Sequence, residues 1–178
     1  MSQLKVLIVE GNIHEENLKF QKLSNQPQSF NFKDNIKKYY PNSAIDIVNP
    51  STENEAAKFV SQINKYDGII WGGSTMNIYD NNIEIRRQID FAKKLFEFEK
   101  KIFAICWGLQ LFVVASGGEV KKSNTGTHVG IAVNIELTSD GLNHPVYKSK
   151  SKKFTTPAFN FDEVVKLPDN SIHLAFNK

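Results

Sequence analysis

Apolar and polar positions fall in blocks along the chain that predict alternating strands and helices. Val6-Leu7-Ile8-Val9 is an uninterrupted apolar run, the pattern of a strand buried on both faces. From Gly11 to Asn31 the chain turns polar and rich in Asn and Gln. Part of a helix fits there without fixed bounds, and the stretch is longer than a simple strand-to-helix loop. Asp34 to Tyr40 reads as helix, ended by Pro41. Ala44 to Val48 reads as a second strand. Ser51-Thr52-Glu53-Asn54-Glu55 opens a helix, with Thr52 and Glu55 at capping-box spacing and Ala56, Val60 and Ile63 as its apolar stripe.

Gly68 to Trp71 is a third strand, stopped by Gly72-Gly73. A long helix is expected from Asn82 to Lys100, where Ile85, Ile89, Ala92 and Phe96 share one face. Lys101 to Ile105 forms a fourth strand. It runs directly into Cys106-Trp107-Gly108 and a helix from Leu109 to Ala115. That helix is apolar on nearly all sides, so burial is expected, and Gly117-Gly118 closes it. Beyond Gly118 the texture changes. Glu119 to Lys122, Ile131 to Leu137, Phe154 to Phe159, Glu163 to Leu167 and Ile172 to Phe176 all read as strands, with turns at Ser139-Asp140-Gly141 and Pro168-Asp169-Asn170. The pattern is α/β: a mostly parallel sheet flanked by helices, with antiparallel strands in the C-terminal third.

Composition adds little to this and removes much. In 178 residues, 40% hydrophobic and 23% charged, the chain has ordinary globular usage, and its length favours one domain, 1–178. No apolar run reaches the roughly 18 residues needed to cross a bilayer, and Met1 to Val6 carries no secretory core. A cytoplasmic protein is the expectation, with no membrane partner. The net charge of +3 rests on short, scattered lysine runs, a solvated surface rather than a nucleic-acid face. One cysteine excludes an internal disulfide. The four histidines, at 14, 128, 144 and 173, show no metal-ligand spacing. Neither metal nor cofactor is expected.

The lone cysteine is the informative residue. Cys106 stands between a buried strand and a buried helix, at the sharp turn that lifts a side chain above the carboxyl edge of a sheet. Ligands of open α/β sheets bind at that edge. The N–H groups and dipole of a helix start favour negative charge, and Gly108 lets the helix pack closely, so a thiolate nucleophile fits. The competing reading is a small buried residue. A nucleophile that attacks a carbonyl needs N–H donors aimed at the oxyanion. Gly72-Gly73, at the end of the neighbouring strand, brings bare backbone there, and the N–H groups of Gly73 and Trp107 are the candidate pair. Otherwise Gly72-Gly73 is a plain strand-ending turn.

The segment Ile102-Phe103-Ala104-Ile105-Cys106-Trp107-Gly108-Leu109-Gln110, with Gly117-Gly118-Glu119-Val120, resembles the nucleophile motif of class I, triad-type glutamine amidotransferase domains. Asp67 to Ser74 is similar to their oxyanion strand. Ile131 to Pro145 resembles their middle hairpin region, and Phe161 to Pro168 with Leu174-Ala175-Phe176-Asn177 resembles the segment just before their His-x-Glu motif. The resemblance implies a flavodoxin-like sheet and a cysteine that attacks the side-chain amide of glutamine, giving a γ-glutamyl thioester and ammonia, then glutamate. It implies Cys106 as nucleophile, Gly73 and Trp107 as oxyanion amides, and Gln110 with Gly72 as substrate-binding positions. It also implies glutamine as substrate and a synthetase or acceptor enzyme as partner.

Three departures shape the expectations. Ala104 stands where the family has Gly, which crowds the bend. Trp71 precedes Gly72 where a small polar residue is common, which reshapes the glutamine pocket. The family's catalytic His-x-Glu follows the Leu-Ala-x-Asn segment, and here the sequence ends at Asn177-Lys178. The expectation is one amidotransferase domain lacking its C-terminal end, with impaired activity. His128, in Gly126-Thr127-His128-Val129-Gly130, is a candidate substrate contact, and His173 a weaker candidate base; His14 and His144 have no assigned partner. Two alternatives stay open: a non-catalytic amidotransferase-like binding module, and a γ-glutamyl hydrolase or other cysteine hydrolase of the same architecture.

Overall fold

The computed structural model describes residues 3–24, 26–124 and 126–177; Met1 and Ser2, and the chain end at Lys178, lie outside them. They form two compact units, Met1–Gly117 and Gly118–Lys178. The first holds strands β1 (Lys5–Val9), β2 (Ala44–Val48), β3 (Gly68–Trp71) and β4 (Lys101–Ala104), with helices α1 (His14–Ser24), α2 (Gln28–Tyr39), α3 (Glu55–Val60), α4 (Ile83–Leu95) and α5 (Trp107–Ala115). All the strand pairs are parallel, in the order β2-β1-β3-β4. Central β1 places Leu7, Ile8 and Val9 wholly out of solvent, as its apolar run requires.

The strands end together. Val9 stands opposite Val48 on one side and Trp71 on the other, and Trp71 stands opposite Ala104. The ladder then runs one residue further: Glu10 N–H donates to Val48 C=O (2.9 Å), Gly72 N–H to Val9 C=O (3.2 Å) and Ile105 N–H to Trp71 C=O (2.9 Å). Glu10, Gly72 and Ile105 are thereby held in a row along the carboxyl edge. The chain order reverses between β1 and β3, the crevice where open α/β sheets take ligands.

The helices correct several expectations. The polar stretch after Gly11 forms α1 and the start of α2. The capping box at α3 does not form: Asn54 precedes the helix with φ 60°, and the Glu55 carboxylate accepts instead from Asn49 N–H at 2.8 Å. Ile63 falls in a separate short turn. Helix α4 stops at Leu95, capped at its start by Asn82, which accepts from Ile85 N–H at 2.9 Å. Its inner face is Ile85, Gln88, Phe91, Ala92 and Leu95, and Phe96 is exposed. Helix α5 buries Trp107, Gly108, Leu111 and Val113 but leaves Leu109 half in solvent. Gly117, at φ 87°, follows its last turn as expected.

Gln88 is the unexpected core residue. It is fully buried; its Nε2 donates to Gly11 C=O at 3.0 Å, and its Oε1 accepts from Trp107 Nε1 at 2.9 Å. One amide thus ties the loop after β1 to the first residue of α5.

The second unit is antiparallel. Strand β5 (Glu119–Lys122) pairs with β8 (Asp162–Lys166), and β6 (His128–Leu137) lies between β7 (Lys153–Asn160) and β9 (Ala175–Phe176). Asn134, at φ 57°, sits where the β6–β7 register shifts between Ala132 and Ile135, a bulge. The Ser139-Asp140-Gly141 turn is the start of a short helix, α6 (Ser139–Asn143). Its cap Thr138 accepts from Gly141 N–H at 3.0 Å and donates to His173 C=O at 2.7 Å. The last expected strand shortens to two residues. No helix among the described residues is long and apolar enough to cross a membrane.

Replacing Gln88 by Leu leaves the Gly11 carbonyl and the Trp107 N–H buried without partners. The expected cost is about 2–4 kcal/mol, read by urea unfolding; Arg86→Ala, at an exposed position of α4, should cost under about 0.5 kcal/mol. A β-carbon on Gly108 would stand 2.7 Å from Trp71 O and 3.0 Å from Trp71 Cβ. Gly108→Ala should therefore lower stability by about 1–3 kcal/mol, and an unchanged unfolding midpoint would show that α5 is free to back away.

Candidate active site

Cys106 lies between β4 and α5 with φ 53° and ψ −109°. L-residues rarely adopt this conformation, which costs of order 1–3 kcal/mol. The surrounding backbone imposes it. Ile105 is bonded to β3, and Gly108 N–H is shared between Ile105 C=O (3.0 Å) and Gly72 C=O (3.1 Å). Cys106 C=O accepts from Gln110 N–H at 3.1 Å, the first closed turn of α5. The residue is exposed, so the alternative of a sealed apolar cysteine does not hold.

Gly72 and Gly73 leave the end of β3 toward the bend. A β-carbon built on Gly73 would stand 3.8 Å from the Cys106 Cβ, so the candidate donor and the candidate nucleophile are neighbours. Gly73 N–H donates to Oε1 of Gln28, the first residue of α2. Trp107 opens α5, its indole fixed by Gln88. Gln110 is half-buried in the first turn of the same helix. The candidate nucleophile, oxyanion and substrate positions Gly72, Gly73, Cys106, Trp107 and Gln110 thus lie in the first unit, on the end of β3 or the start of α5. Trp71 departs from expectation. Its side chain is fully buried against Phe112, with ring centroids 5.4 Å apart, and Phe91, 5.8 Å. It fills the core rather than a substrate pocket.

Two buried polar residues at the end of β1 organise this edge. Glu10 accepts from Asn12 N–H (3.0 Å) and from Ser29 N–H (3.3 Å). It therefore caps α2, where Pro27 has no side-chain acceptor to do so. Asn12 Oδ1 accepts from the Ser74 hydroxyl (2.9 Å) and Thr75 N–H (3.0 Å), which pins the loop after Gly73. Neither Gln28, Glu10 nor Asn12 carries a sequence signal beyond lying in or beside a polar stretch. Gln88 had one, a lone polar residue inside an otherwise apolar helix face.

The histidines are dispersed. His14 is exposed at the start of α1, where His14-Glu15-Glu16 is the chain's own His-x-Glu triplet. Glu16 there binds Lys19 (2.6 Å) and Thr75 Oγ1 (3.1 Å), and the Lys19 ammonium holds its carboxyl below the usual range against partial burial. His128, His144 and His173 belong to the second unit. His128 stands opposite Asn160 in the β6–β7 ladder. His144 Nδ1 accepts from Val146 N–H at 3.3 Å, and His173 packs near Phe176. A cleft of about 620 Å³ between α3 and α4 is lined by Pro50, Ala57, Arg87 and Phe91 among others and by none of the residues around Cys106.

The comparisons with known proteins give the family and the fold. A family model described as class-I glutamine amidotransferase matches residues 29–178. The chain is 34% identical, over its whole length, to a gamma-glutamyl-L-1-hydroxyisopropylamide hydrolase from a Pseudomonas species, of which it covers 61%. It is 28% identical to gamma-glutamyl peptidase 4 of Arabidopsis thaliana over 65% of this chain and 46% of that one. It therefore spans about three-fifths or less of these relatives. A glutamine amidotransferase from Thermotoga maritima shares the fold with a TM-score of 0.69 at 15% identity, across 98% of this chain and 67% of its own. The chain belongs to the class-I glutamine amidotransferase family.

Proposed function

We propose that the site cleaves γ-glutamyl amides by acyl transfer to Cys106. The thiolate attacks the amide carbon, the carbon–nitrogen bond breaks, and ammonia or an amine leaves with a proton. Water then hydrolyses the γ-glutamyl thioester to glutamate and regenerates the thiol. Gly73 and Trp107 donate their N–H groups to the oxygen that gains charge, and Gln110, with the open backbone at Gly72, holds the rest of the substrate. Glutamine is the simplest such amide. The observation that carries this reading is the exposed Cys106, held at φ 53° on the start of α5 beside Gly73.

The leaving nitrogen needs a proton, and the family resemblance assigns that work to a His-x-Glu pair following the Leu174-Ala175-Phe176-Asn177 segment. We read residues 1–178 as belonging to one amidotransferase domain. The names of the Pseudomonas and Arabidopsis relatives favour hydrolysis of the γ-glutamyl amide itself. Relatives named GMP synthase, such as one from Leptospira interrogans, 29% identical over 67% of this chain, support delivery of ammonia to a synthetase partner. Release of an alkylamine from a γ-glutamyl alkylamide, compared with ammonia from glutamine, separates the two.

A chloroketone analogue of glutamine should modify Cys106, located by peptide mass spectrometry. Cys106→Ala and Cys106→Ser should lose all glutamate release and thioester formation with the fold kept; modification elsewhere, or glutamate release by the Ala variant, would refute the assignment. Cys106→Gly should be equally inactive yet about 1 kcal/mol more stable than Cys106→Ala, because glycine accepts φ 53° without strain. Equal stabilities would place the strain outside this residue.

A further inference from the structure

The N–H of Gly73 is occupied in this structure, and its occupant is chemically informative. It is a primary carboxamide, that of Gln28, the group that glutamine, the simplest of the proposed substrates, would present. The neighbouring backbone groups are satisfied by main chain: Gly72 N–H by Val9, Gly72 C=O by Gly108, Ile105 N–H by Trp71. Gly73 N–H points instead at a side chain. The space for that side chain exists because Gly72 and Gly73 carry no β-carbon. One on Gly72 would come within 2.7 Å of Gln28 Oε1, and one on Gly73 would stand 3.2 Å from Oε1 and 3.5 Å from Nε2. The two glycines thus outline a recess that accepts a carboxamide, oxygen toward the N–H, beside the Cys106 Cβ.

Helix α2 does not need this bond to stay in place. Ser29 N–H is held by Glu10 and Phe30 N–H by Pro27 C=O, and Phe32, one turn on, lies over Gly72. Gln28 itself is only half-buried. Its carboxamide is therefore free to leave while the helix remains.

Resting on the reading of Cys106 given above, we propose that Gln28 is a built-in competitor: its carboxamide fills the oxyanion position of Gly73, and a substrate amide must displace it before Cys106 can be acylated. Each successful binding event exchanges one amide oxygen for another on the same N–H. The cost falls on substrate affinity rather than on the thiol. It selects for substrates whose α-amino acid end is anchored elsewhere, and it keeps the donor from being satisfied by water alone when no substrate is present.

The test is the inactivation of the full chain by the chloroketone analogue, in wild type and in Gln28→Leu, with iodoacetamide as a small alkylating control. Gln28→Leu should lower the half-saturating concentration of the analogue about threefold to tenfold, the range expected for one freed hydrogen bond, while iodoacetamide labelling of Cys106 changes less than twofold. Gln28→Glu, which keeps the acceptor, should show no gain. Should the Leu variant fail to fold, Gln28→Asn withdraws the amide by one methylene and should give the same gain. Equal or weaker saturation in the Leu or Asn variant overturns the competitor role while leaving Cys106 as nucleophile. Failure of the analogue to label wild type or variant, with iodoacetamide still reacting, removes the acyl-transfer reading and this inference with it. In the amide NMR spectrum, Gly73 N–H should move upfield in Gln28→Leu, and an unmoved signal would also count against the proposal.

Discussion

At the end of β3 two stretches of main chain lie against one another with no side chain between them. Gly108 N–H reaches the Gly72 carbonyl, and a β-carbon on Gly108 would collide with Trp71. This contact fixes the start of α5 relative to the sheet. It also decides the conformation of Cys106, which must take an unfavourable φ to connect a strand bonded to β3 with a helix pressed against it. The exposure of the sulfur, its nearness to Gly73 and the direction of α5 all follow. Function here is built on backbone geometry, and the side chains serve to hold that geometry.

Those supporting side chains are polar and buried, an arrangement that is costly unless every group is paired. Gln88 satisfies both ends of its amide, and Glu10 and Asn12 accept from the loops on either side. Each has partners far away in sequence, so each joins elements that apolar packing alone would let slide. The edge is consequently stiff around Cys106 and adjustable at the half-buried Gln28.

The parallel strands were legible because each is a short apolar run bounded by turn residues, and Cys106 was legible because it interrupts one such run at a helix start. The glycines at 72, 73 and 108 could be read from position alone. What stayed hidden has one physical cause: a polar residue that serves the interior looks, in sequence, like a polar residue that serves the surface. Gln28, Glu10 and Asn12 sit in or next to a stretch rich in Asn and Gln, and the partners that hold them, Gly73, Ser29 and Ser74, lie 45, 19 and 62 residues away. The α3 cap failed for a related reason, since the Glu55 carboxylate found a better donor at Asn49 than the one its spacing suggested. Trp71 was expected to reshape a substrate pocket because a difference in residue type from the family does not say where the side chain goes; it is buried against Phe112 and Phe91.

The bond from Glu10 to the start of α2 has a bearing on how the protein comes together. A helix whose first residues are Gln and Ser after a proline begins poorly by itself, and its missing anchor is supplied by a carboxylate that is correctly positioned only once β1 has taken its place beside β2 and β3. Seating of this corner therefore depends on contacts between distant parts of the chain, which are slow to form. The bend at Cys106 is fixed by bonds among β3, β4 and α5, so this corner can loosen at α2 without disturbing the backbone that presents the sulfur.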